Sequence, residues 1–208
     1  MGSFINMNIS MFQEEHHVNE CFVKDLDVNL VKPLRGGVIV YTRVDDKLYF
    51  CFGIDRDTQE MTDFGGGIGY KSRDKNIITG SLREFSEESL GVFGRINECY
   101  VKNSLCIYDD SVMIIFLSLR NFLRSYRTGD SIGNIGRICS SHDIVLKASI
   151  NLFRRKCLRE LHPEVTNIVW INEETLKSEI FTSSQSKLYE KVRGMLSPCI
   201  NNIISSLK

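Results

Sequence analysis

The chain has 208 residues, 42% of them hydrophobic, with 26 basic against 26 acidic side chains and a formal net charge of zero. That length fits one domain with extensions, and the apolar content is enough to bury a core. The charge balance argues against a dominant electrostatic pull toward nucleic acid or membrane, which leaves only local basic patches. No apolar run reaches spanning length, and the first residues lack the charged-then-apolar layout of a secretory leader, so a cytoplasmic protein is expected. Met1-Gly2 opens like a myristoylation signal, but position 6 is Asn. The seven cysteines (Cys21, Cys51, Cys99, Cys106, Cys139, Cys157, Cys199) are odd in number and none forms a C-x-x-C pair. They read as reduced, buried thiols rather than a disulfide framework or a zinc site.

In chain order, residues 1–32 are polar and weakly periodic and read as an N-terminal extension that includes Glu14-Glu15-His16-His17. Neighbouring histidines do not face one another on regular structure, so His16 and His17 read as a surface pair. The core begins near Pro33. Arg35 to Arg43 is predicted as a buried strand, Val44-Asp45-Asp46 as a turn, and Lys47 to Ile54 as the returning strand. A polar loop over 55–62 leads to Phe64-Gly65-Gly66-Gly67-Ile68-Gly69. So many glycines permit backbone conformations closed to other residues and let the chain approach a ligand closely. Tyr41, Tyr49, Phe52 and Phe64 are either pocket-mouth rings that stack on a base or core residues; the sequence leaves both open.

A helix is expected to start between Asp74 and Thr79 and to end near Leu90, with Gly91 placed as its C-terminal cap. It carries Arg83-Glu84-Phe85-Ser86-Glu87-Glu88. The glutamates at i, i+3 and i+4 share one helix face, while Ile78, Leu82 and Phe85 form the apolar side. Arg83 and Glu87 stand four apart and can pair. Hard carboxylate ligands in this pattern suit Mg²⁺ or Mn²⁺, and magnesium bridges to substrate phosphates, so the chemistry suggested is attack of water on a phosphoanhydride. A merely solvated helix surface would mix charge signs.

Glu98 to Tyr108 and Val112 to Leu119 read as an antiparallel pair turning at Asp109-Asp110, where Asp serves backbone hydrogen bonding. Residues 120–142 carry Arg120, Arg124 and Arg127 and a loop from Gly129 to Ser141. Asp143 is placed to cap a helix reaching Leu161, with Ile150, Phe153, Cys157 and Leu161 as its buried stripe and Arg154, Arg155, Lys156 and Arg159 as its wet face. Ile168 to Ile171 is a short strand. Glu173 onward reads as a short helix, and Lys187 to Leu207 as a terminal one interrupted at Pro198.

The segment from Gly69 to Val92 resembles the Nudix box: a glycine, five residues, a glutamate, seven residues, then Arg-Glu-apolar-x-Glu-Glu-x-Gly-apolar. Gly69 and Arg83-Glu84-Phe85-Ser86-Glu87-Glu88 match in spacing. The upstream Gly-Gly element and the late strand with Trp170 fit as well, so the resemblance covers about residues 33–180. Two positions depart: Lys75 stands where the first glutamate is usual, and Gly91 falls one residue late.

The resemblance implies an α/β/α sandwich around a mixed sheet, as a Nudix domain over 33–182 between extensions at 1–32 and 183–208. It implies Glu84, Glu87 and Glu88 as ligands of Mg²⁺ or Mn²⁺, and Arg83 orienting them. It also implies backbone near Gly66 and Gly67 against the phosphates, with Lys75 available to neutralise one. The general base would come from the box helix or a later loop, where Glu164 is preferred over Glu160. The implied activity is pyrophosphohydrolysis of a nucleoside diphosphate linked to another group. Capped RNA belongs among the candidates, because virus-encoded decapping relatives have a similar Arg-Glu-x-x-Glu-Glu-Ser ending. An inositol pyrophosphate hydrolase and a nucleotide-binding module without turnover are the alternatives.

Overall fold

Along Arg35–Val44 (β2) the apolar side chains alternate between two cores, Val38 and Val40 to one and Ile39 and Tyr41 to the other. A strand with apolar residues on both faces must lie inside a sheet covered on both sides. The computed structural model describes residues 17–94, 96–124, 142–182 and 186–208. Glu14, Glu15, His16, Arg127, Cys139 and the Gly129 to Ser141 loop lie outside the described residues.

β2 turns back at Asp45 and Asp46, both at positive φ (47° and 62°), into Lys47–Asp55 (β3). Two consecutive left-handed residues give the hairpin turn whose twist matches its strands. Met61–Thr62 (β4) pairs with β3, and Phe64–Gly67 (β5) pairs antiparallel with the first half of β2. The glycine run is therefore strand rather than loop, and Gly65, Gly66 and Gly67 are not at positive φ. Helix α1 spans Ile77–Glu88, with an Asn76 capping box to Thr79. It ends two residues before the expected Leu90, with Ser89 rather than Gly91 at the cap: Leu90 (φ 51°) takes the left-handed position and Gly91 (φ +60°) follows, its N–H reaching Ser86 O at 3.0 Å.

Part of the region read as strand from Glu98 is a helical turn, Glu98–Val101 (α2), before Leu105–Tyr108 (β6). Asp109 is the turn residue expected: its Oδ1 accepts from the N–H groups of Ser111 and Val112. Val112–Ser118 (β7) then runs parallel to β2 and antiparallel to β6, which makes the sheet mixed. Asn19–Phe22 (β1) adds to β6 as the outer strand, although sequence patterning left it unassigned: four residues carry too little alternation to register. Leu119–Arg124 (α3) precedes His142–Cys157 (α4), which stops short of Leu161. Val165–Asn172 (β8) pairs with β3. Glu173–Phe181 (α5), Glu190–Leu196 (α6) and Ile200–Leu207 (α7) complete the chain.

The helices divide between the faces. Ile77, Leu82 and Phe85 of α1, Phe122 of α3, and Leu146 and Phe153 of α4 pack with Val38, Val40 and Ile115. Leu176 of α5, Leu196 of α6 and Ile203 of α7 pack with Ile39, Phe50 and Phe116. This is the α/β/α sandwich that the resemblance implied. Phe64, Phe85, Phe93 and Phe122 form an aromatic cluster with centroid spacings of 5.5–6.2 Å, which fixes α1 against the sheet. Phe52 and Phe64 are fully buried core rings, not pocket-mouth platforms. Tyr41 and Tyr49 pack against the two cores. Phe153 is buried and Ile150 and Cys157 pack against the core as expected of the α4 stripe, but Leu161 is 91% exposed and is not part of it; Leu152 is buried there as well. Among the described residues no helix is long and apolar enough to cross a membrane.

Candidate functional site

The geometry begins with Arg83. Its Nε and Nη2 fork onto both oxygens of Asp74 at 2.9 Å each, and Nη2 also reaches Gly67 O at 3.1 Å. Nη1 meets Glu84 Oε1 at 2.8 Å and Glu87 Oε2 at 3.1 Å. One guanidinium thus ties the helix to the glycine strand and orients two of the three glutamates, which a single ammonium cannot do. Asp74 in turn accepts from Gly69 N–H at 2.7 Å. The fork from Arg83 holds its carboxyl below the ordinary range, although partial burial works the other way.

The three glutamates do not share one environment. Glu87 is 57% exposed at its side chain, whereas Glu84 is 13% exposed and lies under β5. A Cβ on Gly66 would sit 2.6 Å from Glu84 Oε2 and displace that carboxylate, so what this glycine supplies is close approach rather than backbone conformation. Glu88 is half-buried and accepts from Gly65 N–H at 2.7 Å. Burial first, and then the charge of Asp63, pushes its carboxyl up to about 9; Gly65 N–H and Arg35 oppose the rise, and Glu164 adds to it.

Behind Glu88 lies a pair that sequence reasoning missed. Arg35 donates to Asp63 Oδ2 at 2.8 Å and Oδ1 at 2.6 Å, and to Gly65 O at 2.9 Å. Asp63 is fully buried. Burial disfavours the Arg35 charge, but Asp63 more than offsets it and holds the guanidinium charged. Gly37 leaves the room for Asp63, since a Cβ there would overlap Asp63 Oδ2. The available signal was an aspartate beside a glycine run opposite an arginine on the facing strand.

Glu84, Glu87 and Glu88 line a cavity of about 210 Å³ with Glu160, His162 and Glu164. The residues named from the sequence as possible bases, Glu164 and Glu160, therefore stand at the glutamate helix. Glu88 and Glu164 also line a second cavity of about 310 Å³, whose walls include Arg35, Asp55, Thr62 and Tyr189. Tyr189 arrives there because Lys187 O accepts from Met61 N–H and Tyr189 N–H donates to Met61 O. A wider groove on the outer side of α1 also touches Arg83 and Glu87 but has Leu82, Phe85 and Ile96 in its walls. Lys75 is exposed just before α1. Lys156 donates to Leu90 O at 3.0 Å, at the C-terminal end of α1, so one member of the basic run has a structural task. His17 is exposed.

All candidate ligands are hard oxygens, and Glu88 is a half-buried carboxyl with acidic neighbours that a cation would relieve; in chemistry the set fits Mg²⁺ or Mn²⁺. Among the described residues, however, no three His, Cys, Asp or Glu side chains are gathered closely enough to hold an ion as they stand. Arg83 occupies Glu84 and Glu87, and Gly65 N–H occupies Glu88.

No family profile and no curated protein matches the chain. Among solved structures, it is similar to a C. elegans Ap4A hydrolase in a binary complex, at 14% identity and a TM-score of 0.43, covering 85% of this chain and 98% of that one. A second C. elegans Ap4A hydrolase structure is similar at 12% identity and a TM-score of 0.43, covering 86% and 100%.

Proposed function

We propose that this chain is a Mg²⁺- or Mn²⁺-dependent hydrolase that splits a phosphoanhydride bond in a nucleoside diphosphate linked to another group. The observation that carries the reading is the seat of Glu88: a half-buried carboxyl bonded to the glycine strand, one turn from Glu84, in a cavity wall shared with Glu164. A carboxyl so placed costs stability when ionised without a cation, and such arrangements belong to sites that use the charge.

Glu84, Glu87 and Glu88 would hold the cation, which when bound neutralises a diphosphate and acidifies a coordinated water. Arg83 positions Glu84 and Glu87 and must release at least one of them as the site loads. Gly66 and Gly67 present backbone without side chains, so phosphate oxygens can approach the strand. Glu164 faces the same cavity and accepts the proton of the attacking water. Lys75, exposed at the approach to α1, offers a positive charge to a phosphate.

The test is product release with Mg²⁺ or Mn²⁺ from a panel of capped RNA, nucleoside diphosphate sugars, dinucleoside polyphosphates, nucleoside triphosphates and inositol pyrophosphates. We expect turnover of at least one nucleotide substrate, and its loss in Glu88→Gln with the fold retained. Binding across the panel without turnover would overturn the reading in favour of a nucleotide-binding module.

A further inference from the structure

Outside the carboxylate site, one pair of reactive groups is placed by the fold with unusual closeness. Cys21 on β1 and Cys106 on β6 are direct partners in the antiparallel ladder. Their Sγ atoms stand 3.6 Å apart, and the Cys106 thiol also lies 3.4 Å from Cys21 O. Cys106 is fully buried, whereas Cys21 is half-buried on the outermost strand and open to a reagent. Residues directly opposite in such a ladder have Cα atoms about 4.5–5.5 Å apart, inside the span a disulfide needs. The sulfurs have to close by only about 1.5 Å, through side-chain rotation, to reach bonding distance.

We propose that Cys21 and Cys106 are a covalent modification site: a reversible cross-strand disulfide, formed by exchange with a low-molecular-weight disulfide, that staples β1 to the sheet. The steps balance as two successive exchanges. The Cys21 thiol loses its proton and attacks one sulfur of the small disulfide, whose S–S bond breaks and expels a thiolate that takes up a proton. The Cys106 thiol then loses its proton and attacks Cys21 Sγ, expelling the second small thiolate, which is protonated in turn. Both cysteines are oxidised and one small disulfide is reduced to two thiols. Burial raises both thiols above their ordinary range, so they are protonated at neutral pH and the exchange is slow and favoured by alkali.

The placement has a defined consequence. The bond would close a loop from residue 21 to residue 106 that contains β2, β5 and α1, the elements carrying Arg35, the glycine strand and the glutamates. Oxidation therefore constrains the unfolded chain around the candidate site while leaving the folded site's own side chains untouched. The pair differs from the other described cysteines: Cys51 and Cys199 are buried, Cys157 is half-buried with its thiol on the carbonyls of Val165 and Thr166, and Cys99 is exposed on α2.

The test uses the full chain incubated at pH 8 with excess oxidised glutathione or with dithiothreitol, quenched with an alkylating agent, digested and mapped by mass spectrometry. We expect a Cys21–Cys106 cross-linked peptide, and a melting temperature about 10 °C higher in the oxidised sample. Cys21→Ser, at the half-buried position, should remove both effects, and Cys99→Ser should remove neither. Recovery of both thiols alkylated after oxidation would overturn the proposal. So would glutathione retained on Cys21 without closure, or a thermal shift that persists in Cys21→Ser.

Discussion

Replacing Arg35 by methionine isolates the charge arrangement behind Glu88. The substitution keeps most of the side-chain volume and removes the guanidinium that bonds Asp63 at 2.8 and 2.6 Å. Asp63 has no solvent exposure, and its nearest other donor is the Thr62 hydroxyl at 3.3 Å. Removing one partner of a buried ion pair leaves an uncompensated charge and costs about 3–5 kcal/mol. With a slope of roughly 2 kcal/mol per molar urea, the unfolding midpoint should fall by about 2 M. Asp63→Asn alone should also destabilise, because it strands most of the guanidinium's charge on a neutral amide. The double variant removes both charges, so it should be more stable than the sum of the single losses implies, by about 2 kcal/mol. Urea unfolding at pH 7 of the four proteins measures all three terms. A midpoint shift in Arg35→Met equivalent to less than about 1 kcal/mol would refute the claim that this pair is buried and mutually compensating. Strict additivity in the double variant would refute it as well.

Other expectations follow from the same contacts. Gly66→Ala places a methyl 2.6 Å from Glu84 Oε2, so Glu84 must move; turnover should drop by about 100-fold, read as kcat, with the melting temperature nearly unchanged. Arg83→Lys loses the fork onto Asp74, which is 2% exposed, and should cost about 2–3 kcal/mol, seen as a fall of roughly 5–10 °C in melting temperature. Glu88 supplies a pH dependence: its folded carboxyl is raised from 4.5 to about 9, so the folded state binds the extra proton. Its contribution is complete below the unfolded value and is lost as pH rises toward 9. With a chelator present, thermal melts should therefore show the wild type losing more stability between pH 5.5 and pH 8 than Glu88→Gln does.

The strands and helices were legible where the period was long and clean. β2, β3, β7 and α1 each carry enough apolar positions to declare their faces, and the break at Pro198 separates α6 from α7 as a proline should. Short elements were not legible. β1, β4 and α2 span four residues or fewer, and their existence depends on partners remote in sequence: β6 for β1, β3 for β4. The helix at Glu98–Val101 replaced an expected strand because the local apolar alternation there is too brief to decide between periods. At the end of α4, Leu161 fits a helical stripe by spacing, yet the helix stops at Cys157, and spacing alone does not report where a helix ends.

The candidate site shows the same division at the level of side chains. The spacing of Glu84, Glu87 and Glu88 places them on one helix, and that much follows from 3.6 residues per turn. Their unequal character does not follow from spacing, because it is imposed from the sheet. Gly66 lets the strand settle onto Glu84, Gly65 donates to Glu88, and Gly37 makes room for the Asp63 that raises Glu88. The glycines were expected to act through backbone freedom and close approach; in β5, Gly65 and Gly66 act by lacking a Cβ, while a Cβ on Gly67 would meet nothing. The difference has a chemical consequence. A flexible loop would let all three carboxylates stay solvated and ionised, with a cation drawn in by bulk charge. A fixed strand holds Glu88 half-buried with its protonated form favoured, and it gives Arg83 a rigid carbonyl, Gly67 O, to lean on. If the site takes a cation as proposed, loading would exchange the Glu88 proton for it, a balance set first by burial and then by Asp63, with Arg35 opposing, both residues lying on the far side of the strand from the helix that carries the motif.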